Sequence, residues 1–254
     1  MTHIVSLFSY RGGTGRSTTA VNVARLLAAD GARVAVVDTA LQYPALHTLF
    51  GINDLPDWIS FTDYLLGRCT LGDVVQAVPL REAEPTAGEG TLFALPACNR
   101  PDKIEGIQSQ GYDVGLLGEA FKELSESLAL DWLFLDTSAG MTNETAVALA
   151  ASETVLTLAR ADQVDLVSAP TAAGMVRRLS RARTLLALSA AGPDDRVPTE
   201  EFARAYEMPV VAVLPAAPAV AEVSGRSLFV EAYPEHRLTA RYRDLADALA
   251  GADR

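Results

Sequence analysis

Two cysteines in 254 residues leave no room for a disulfide framework. Cys69 and Cys98 lie far apart with no paired spacing, so each is expected to be a reduced thiol. Apolar runs of about 18 residues are missing, which excludes an ordinary membrane-spanning helix. The N-terminus enters a strand pattern almost at once, without a charged and then apolar leader, and a cytoplasmic location is expected. Aromatic residues make up only 7% of the chain, so the core must be aliphatic. Positive charge is scarce: 21 Lys and Arg stand against 32 Asp and Glu, a formal net charge of −11. A chain with nucleic-acid phosphates as its main partner needs the opposite balance. His3, His47 and His236 are scattered and match no metal spacing, so they are assigned to packing or surface roles.

What is present is apolar content, 49% of the chain, enough to bury a sheet on both faces in one domain spanning 1–254. Strand patterns fall near 3–9, 32–37, 91–95, 131–136, 153–158, 184–189 and 209–214. Helical patterns fall at 17–29, 60–66, 116–128, 142–151, 165–182, 199–206 and 238–250. Such alternation predicts an α/β fold, a mostly parallel central sheet with helices on both faces. The Pro, Glu and Gly-rich stretch from Pro79 to Gly90 reads as an exposed loop. No internal repeat and no dividing linker is visible.

Arg11, Gly12, Gly13, Thr14, Gly15, Arg16, Ser17 and Thr18 form a glycine-rich turn between the first strand and the first helix. A turn so placed aims successive backbone N–H groups, and the positive end of the helix dipole, at an anion. The glycines lack the Cβ that would block close approach of the backbone. Ser17 supplies a hydroxyl of the kind that ligates Mg²⁺ in phosphate-binding loops. Two strands end in carboxylates, Asp38 and Asp136, at the sheet edge where open α/β sheets bind ligands. Each alone reads as a turn or cap aspartate. Together with the loop they point to a nucleotide and metal site.

With these residues in place the chain resembles the MinD/ParA family of deviant-Walker P-loop ATPases of the SIMIBI class, whose loop reads Lys-Gly-Gly-x-Gly-Lys-Thr-Thr. The likeness extends to the segment from Asp38 to Pro44 with Leu46 and Leu49 to Gly51, to Leu133 through Gly140, and to Leu214 through Glu222. The resemblance implies ATP or ADP with Mg²⁺ at the loop and a nucleotide-dependent homodimer. It also implies a protein partner that sets location or stimulates turnover, and a task in positioning or partitioning a cargo. Residue by residue it assigns Arg11 to the signature lysine that reaches the partner subunit's nucleotide and Arg16 to the lysine on the β and γ phosphates. Ser17, Asp38 and Asp136 would organise the metal, and Ser189, Pro215 and Ala217 would lie along the base. Three departures matter. Both lysines are arginines, longer and planar. Ala40 replaces the aspartate that places the attacking water, which a methyl group cannot do. Ser189 replaces an asparagine that reads the adenine edge, and one hydroxyl cannot duplicate an amide's paired donor and acceptor. A slow ATPase, with Arg11, Arg16 and Asp38 as its catalytic groups, and a non-hydrolysing scaffold or regulator are both consistent with this pattern.

Peripheral features receive plainer readings. Arg177, Arg178 and Arg181 are expected on one helix side, as a solvated face in preference to a DNA patch. Leu238, Tyr242, Leu245 and Leu249 make an apolar stripe expected to dock on the domain, without membrane insertion. Asp165 is expected to cap the helix that follows, and Trp58 and Phe61 to pack in the core.

Overall fold

The computed structural model describes residues 1–52, 58–79, 90–189 and 197–251. Among these, aliphatic and β-branched runs form eight strands: β1 (His3–Phe8), β2 (Arg33–Asp38), β3 (Gln76–Val78), β4 (Thr91–Leu95), β5 (Trp132–Asp136), β6 (Thr154–Arg160), β7 (Arg183–Ser189) and β8 (Val210–Leu214). They make one sheet in the order β3-β4-β2-β5-β1-β6-β7-β8, parallel throughout except for the β3–β4 edge pair.

The helices are α1 (Arg16–Ala29), α2 (Leu46–Leu49), α3 (Phe61–Leu65), α4 (Pro101–Gln110), α5 (Gly115–Ser127), α6 (Asn143–Ala151), α7 (Gln163–Leu179), α8 (Thr199–Tyr206), α9 (Ala219–Val223), α10 (Phe229–Ala232) and α11 (Arg237–Ala250). Successive strand residues point to opposite faces, so each strand serves two cores. Val5, Leu7, Val34, Val36 and Phe134 meet α1 and α11 on one face. On the other, Ala35, Val37, Leu133 and Leu135 meet α3 and α5, while Phe8, Val155, Leu186 and Leu188 meet α7 and α8. Leu238, Tyr242, Leu245 and Leu249 are buried, so the apolar stripe of α11 is spent on the domain as expected.

Several elements depart from expectation. β3 is three residues long, too short for its alternation to register. α4 buries only Lys103 and Gly106, so it carries no apolar stripe to read. The helix expected over 165–182 runs instead from Gln163 to Leu179, and its N-cap is Asp162, whose side chain accepts from the Asp165 N–H. Arg181 therefore lies beyond the helix, and the three arginines do not share one helical side. Arg177 is ion-paired with Glu207. Residues 80–89 of the expected Pro79 to Gly90 loop lie outside the described residues. Phe61 is fully buried and Trp58 half-buried, stacked on His47. Cys69 and Cys98 are free thiols. No helix among the described residues is long and apolar enough to cross a membrane.

Candidate functional site

The turn from β1 into α1 is shaped by two glycines in the left-handed region, Gly13 at φ 73° and Gly15 at φ 88°, where a side chain would be strained. Gly15 is the N-cap of α1 and brings no side chain to bond the helix's first N–H groups. Those donors point out of the helix end without an internal partner. A Cβ built on Gly12 or Gly15 would meet nothing within 4 Å, so the mouth of the turn is open. Thr14 is buried beside it with an unpartnered hydroxyl, and Thr18 is half-buried in the first turn, its carbonyl taken by the Asn22 amide.

Behind the loop stand Asp38 and Asp136, register partners at the ends of β2 and β5 and both fully buried. Asp38 accepts from the backbone N–H of Ala40 on Oδ1 at 3.1 Å, and from Ala45 and Leu46 on Oδ2 at 3.0 and 3.1 Å. Much of its acceptor capacity is thus committed to shaping the chain after β2. Burial, reinforced by the neighbouring Asp136 charge, still pushes its carboxyl well above the usual range. Asp136 differs. Neither of its oxygens makes a hydrogen bond of ordinary geometry. Burial lifts it to about 6, with the approaching Ser17 hydroxyl and the Arg16 charge working against that rise. Arg16 folds inward, donating to the Ser9 Oγ, which in turn donates to the Arg11 carbonyl at 2.6 Å. Burial pulls the Arg16 pKa down, and the two aspartates push it up.

Arg11 is held within its own chain. Its Nη2 lies 2.9 Å from Asp162 Oδ2 and its Nε 2.7 Å from Asp165 Oδ1. Asp165 also accepts from the Arg160 backbone N–H. Arg160, the last residue of β6, joins this group without any signal in the sequence. Its guanidinium lies on the loop, with Nε and Nη2 donating to the Gly13 carbonyl at 3.3 and 3.2 Å and Nη2 to the Gly12 carbonyl at 3.4 Å. An arginine before Ala161-Asp162 carries no motif, and only the β1–β6 pairing puts it there.

Ser189 ends β7, its hydroxyl donating to the Ala159 carbonyl at 3.4 Å. It is the register partner of Leu214, the last residue of β8, after which come the buried Pro215 and the half-buried Ala217. These ends share the sheet edge that carries the loop. At about 4.8 Å per strand, β7 and β8 lie roughly 10 and 14 Å from β1, a span a nucleotide can cover.

A magnesium ion takes hard oxygen ligands. Ser17 and the carboxylate of Asp136 supply them side by side at the uncapped start of α1, so the residues fit both the ion and a phosphate chain.

A family model described as the CobQ/CobB/MinD/ParA nucleotide binding domain matches residues 5–228. An uncharacterized ATP-binding protein of Methanocaldococcus jannaschii is 24% identical over 262 residues, 98% of this chain and 88% of that protein. An iron-sulfur cluster carrier protein of Salmonella typhimurium is 44% identical over 52 residues, which is 20% of this chain and only 14% of the carrier. Among solved structures, the septum site-determining protein MinD complexed with Mg-ADP from Pyrococcus horikoshii superposes with a TM-score of 0.81 at 24% identity, covering 100% of this chain and 99% of that one. At that identity the likeness is one of fold.

Proposed function

The chain belongs to the CobQ/CobB/MinD/ParA nucleotide-binding family, and from that premise we propose that it binds ATP with Mg²⁺ at the Arg11 to Thr18 loop and acts as a nucleotide-dependent dimeric switch. The observation that carries this reading is the buried Asp136, which has no hydrogen bond of ordinary geometry and lies beside Ser17 at the open end of α1. A buried carboxylate so weakly partnered is costly, and a cation beside it removes the cost. The loop amides of Gly13 through Ser17 would take the phosphates. Ser17 and Asp136 would hold the ion, with Asp38 bracing the site from behind. When bound, the ion neutralises phosphate charge. Ser189, Pro215 and Ala217 would border the base.

Exposed apolar side chains in the loops after β2 and β5 and in the first turns of α7 support a self-association face: Tyr43 at 83% exposure, Met141 at 36%, Val164 at 56% and Val167 at 71%. All lie at the sheet edge that carries the phosphate loop, where a second copy would cover the nucleotide. The whole chain acts as one nucleotide-binding unit in the cytoplasm. Its output is the positioning or partitioning of a cargo or complex through a protein partner, with slow hydrolysis resetting the dimer.

A second reading, a scaffold that binds nucleotide without turning it over, is favoured by one place in the site. Ala40 presents a methyl group after β2, and the carboxylate next to it, Asp38, is bonded to three backbone amides. A methyl group orients no water, and the bonded Asp38 has little acceptor capacity left for one. Isothermal calorimetry with ATP and Mg²⁺ tests the shared premise, and phosphate release over hours separates the two readings. Absence of any heat with ATP plus Mg²⁺ removes both.

A further inference from the structure

Three guanidinium groups converge on the phosphate loop, and their attachments differ. Arg16 is turned inward onto Ser9, toward Asp136 and Asp38. Arg11 is tied to two carboxylates, Asp162 and Asp165, so a ligand that drew it away would have to break both ion pairs. Arg160 is exposed and has no carboxylate partner among the described residues. Only the carbonyls of Gly12 and Gly13 hold its head, at 3.2 to 3.4 Å, long for charged donors. Its base, in contrast, is fixed, because the Arg160 N–H is bonded to the buried Asp165.

The fit to the loop is close. A Cβ on Gly13 would come within 2.5 Å of the Arg160 Nη2, so the glycine leaves the space that the guanidinium fills. A firmly anchored stem with a loosely held, unneutralised cationic head is suited to an incoming anion. The planar fork matches two phosphate oxygens better than two peptide carbonyls.

We propose that Arg160 is the residue that grips the terminal phosphate of the bound triphosphate, taking the part that family resemblance assigns to Arg11, while Arg11 stays paired in its own chain as a brace between the loop and α7. This rests on the reading that the loop binds a nucleoside triphosphate. The phosphate engaged is either the one on the same loop or the one on a second copy. In both cases Arg160 makes the site prefer a triphosphate over a diphosphate, because the added charge and oxygens are its target.

The test compares ATP and ADP, each with Mg²⁺, on wild-type protein, Arg160→Ala and Arg160→Lys. Titrations run at a chain concentration where sedimentation shows monomer, and again where it shows dimer if one forms. The alanine variant should lose ATP affinity by about tenfold or more, the range for a charged hydrogen bond, and hold its ADP affinity within about twofold. The lysine variant should recover part of the loss. Loss already present in the monomer assigns Arg160 to its own loop, and loss seen only as weakened ATP-dependent dimerisation assigns it to the second copy. An unchanged ATP to ADP preference overturns the proposal. Equal loss of both nucleotides also overturns it, since that marks a tie that merely shapes the loop. If wild-type protein binds neither nucleotide, the nucleotide reading itself fails, an outcome distinct from a wild-type protein that binds ATP and an Arg160→Ala variant that matches it.

Discussion

Asp38 and Asp136 are register partners on neighbouring strands, both fully buried, yet Asp38 is bonded to three backbone amides while Asp136 has no hydrogen bond of ordinary geometry. The first carboxylate is committed to the chain that follows β2, and the second carries no such commitment.

Replacing Asp136 by Asn should therefore stabilise the ligand-free protein while removing its response to magnesium. The folded-state pKa of about 6 lies above the ordinary 3.8. The stability tied to the protonated carboxyl is fully present below 3.8 and is lost as pH rises through about 6. At pH 7.5 the wild-type group is charged, and Asp136→Asn should gain on the order of 1–3 kcal/mol in urea melts, with nucleotide affinity no longer rising on addition of Mg²⁺. A less stable Asn variant would contradict the picture of an uncompensated charge.

His47 on α2 is buried with neither ring nitrogen bonded, and burial lowers its pKa below the ordinary 6.5. Its contribution to stability is present above 6.5 and lost as pH falls through the lowered folded value, because the unfolded chain then binds the extra proton. Phenylalanine keeps a ring against Trp58, whose centroid lies 6.1 Å away, and does not titrate. Wild-type melting temperature should fall more steeply than that of His47→Phe between about pH 7.5 and 5.5. Parallel pH profiles would show that this histidine is not the source.

Asp162 and Asp165 both face Arg11, but with different burial. Asp165 is 2% exposed and also receives the Arg160 N–H, so Asp165→Ala leaves two donors without an acceptor. Its cost should be about 2–4 kcal/mol by chemical denaturation. Asn at position 162 still caps α7, and Asp162→Asn should cost under about 1 kcal/mol. The reverse ranking would mean that the cap, and not the buried acceptor, holds this corner.

Ala40 offers a gain-of-function test. Ala40→Asp restores a carboxylate where the family resemblance expects one to place water. Phosphate release should rise by about 10²-fold if that group is what turnover lacks. Stability should drop, because a third carboxylate enters a region that already buries Asp38 and Asp136. Release at background in both proteins favours the scaffold reading.

Much of this was legible in the chain, for local reasons. The step from alternation in β1 to helical spacing in α1, with glycines between, lies within thirty residues and needs no distant partner. Asp38 and Asp136 show themselves by following apolar strands. The stripe of α11 declares its buried face through its own periodicity. α4 does not, because its buried positions are a lysine and a glycine, and β3 is too brief to show a period.

Sequence by itself determined the glycine turn between β1 and α1, the strand-terminal carboxylates and the α/β class, since each depends on spacing within a single element or at its end. Tertiary structure decided what those groups are bonded to. Arg11 meets Asp162 across 151 residues of sequence, and Arg160 meets Gly12 across 148. Which aspartate is bonded and which is open follows from the path of the chain after β2 and from β2 lying beside β5. Hydrogen bonds act over about 3 Å, so the order in which strands pair, and not the order in which residues occur, sets the chemistry of the site.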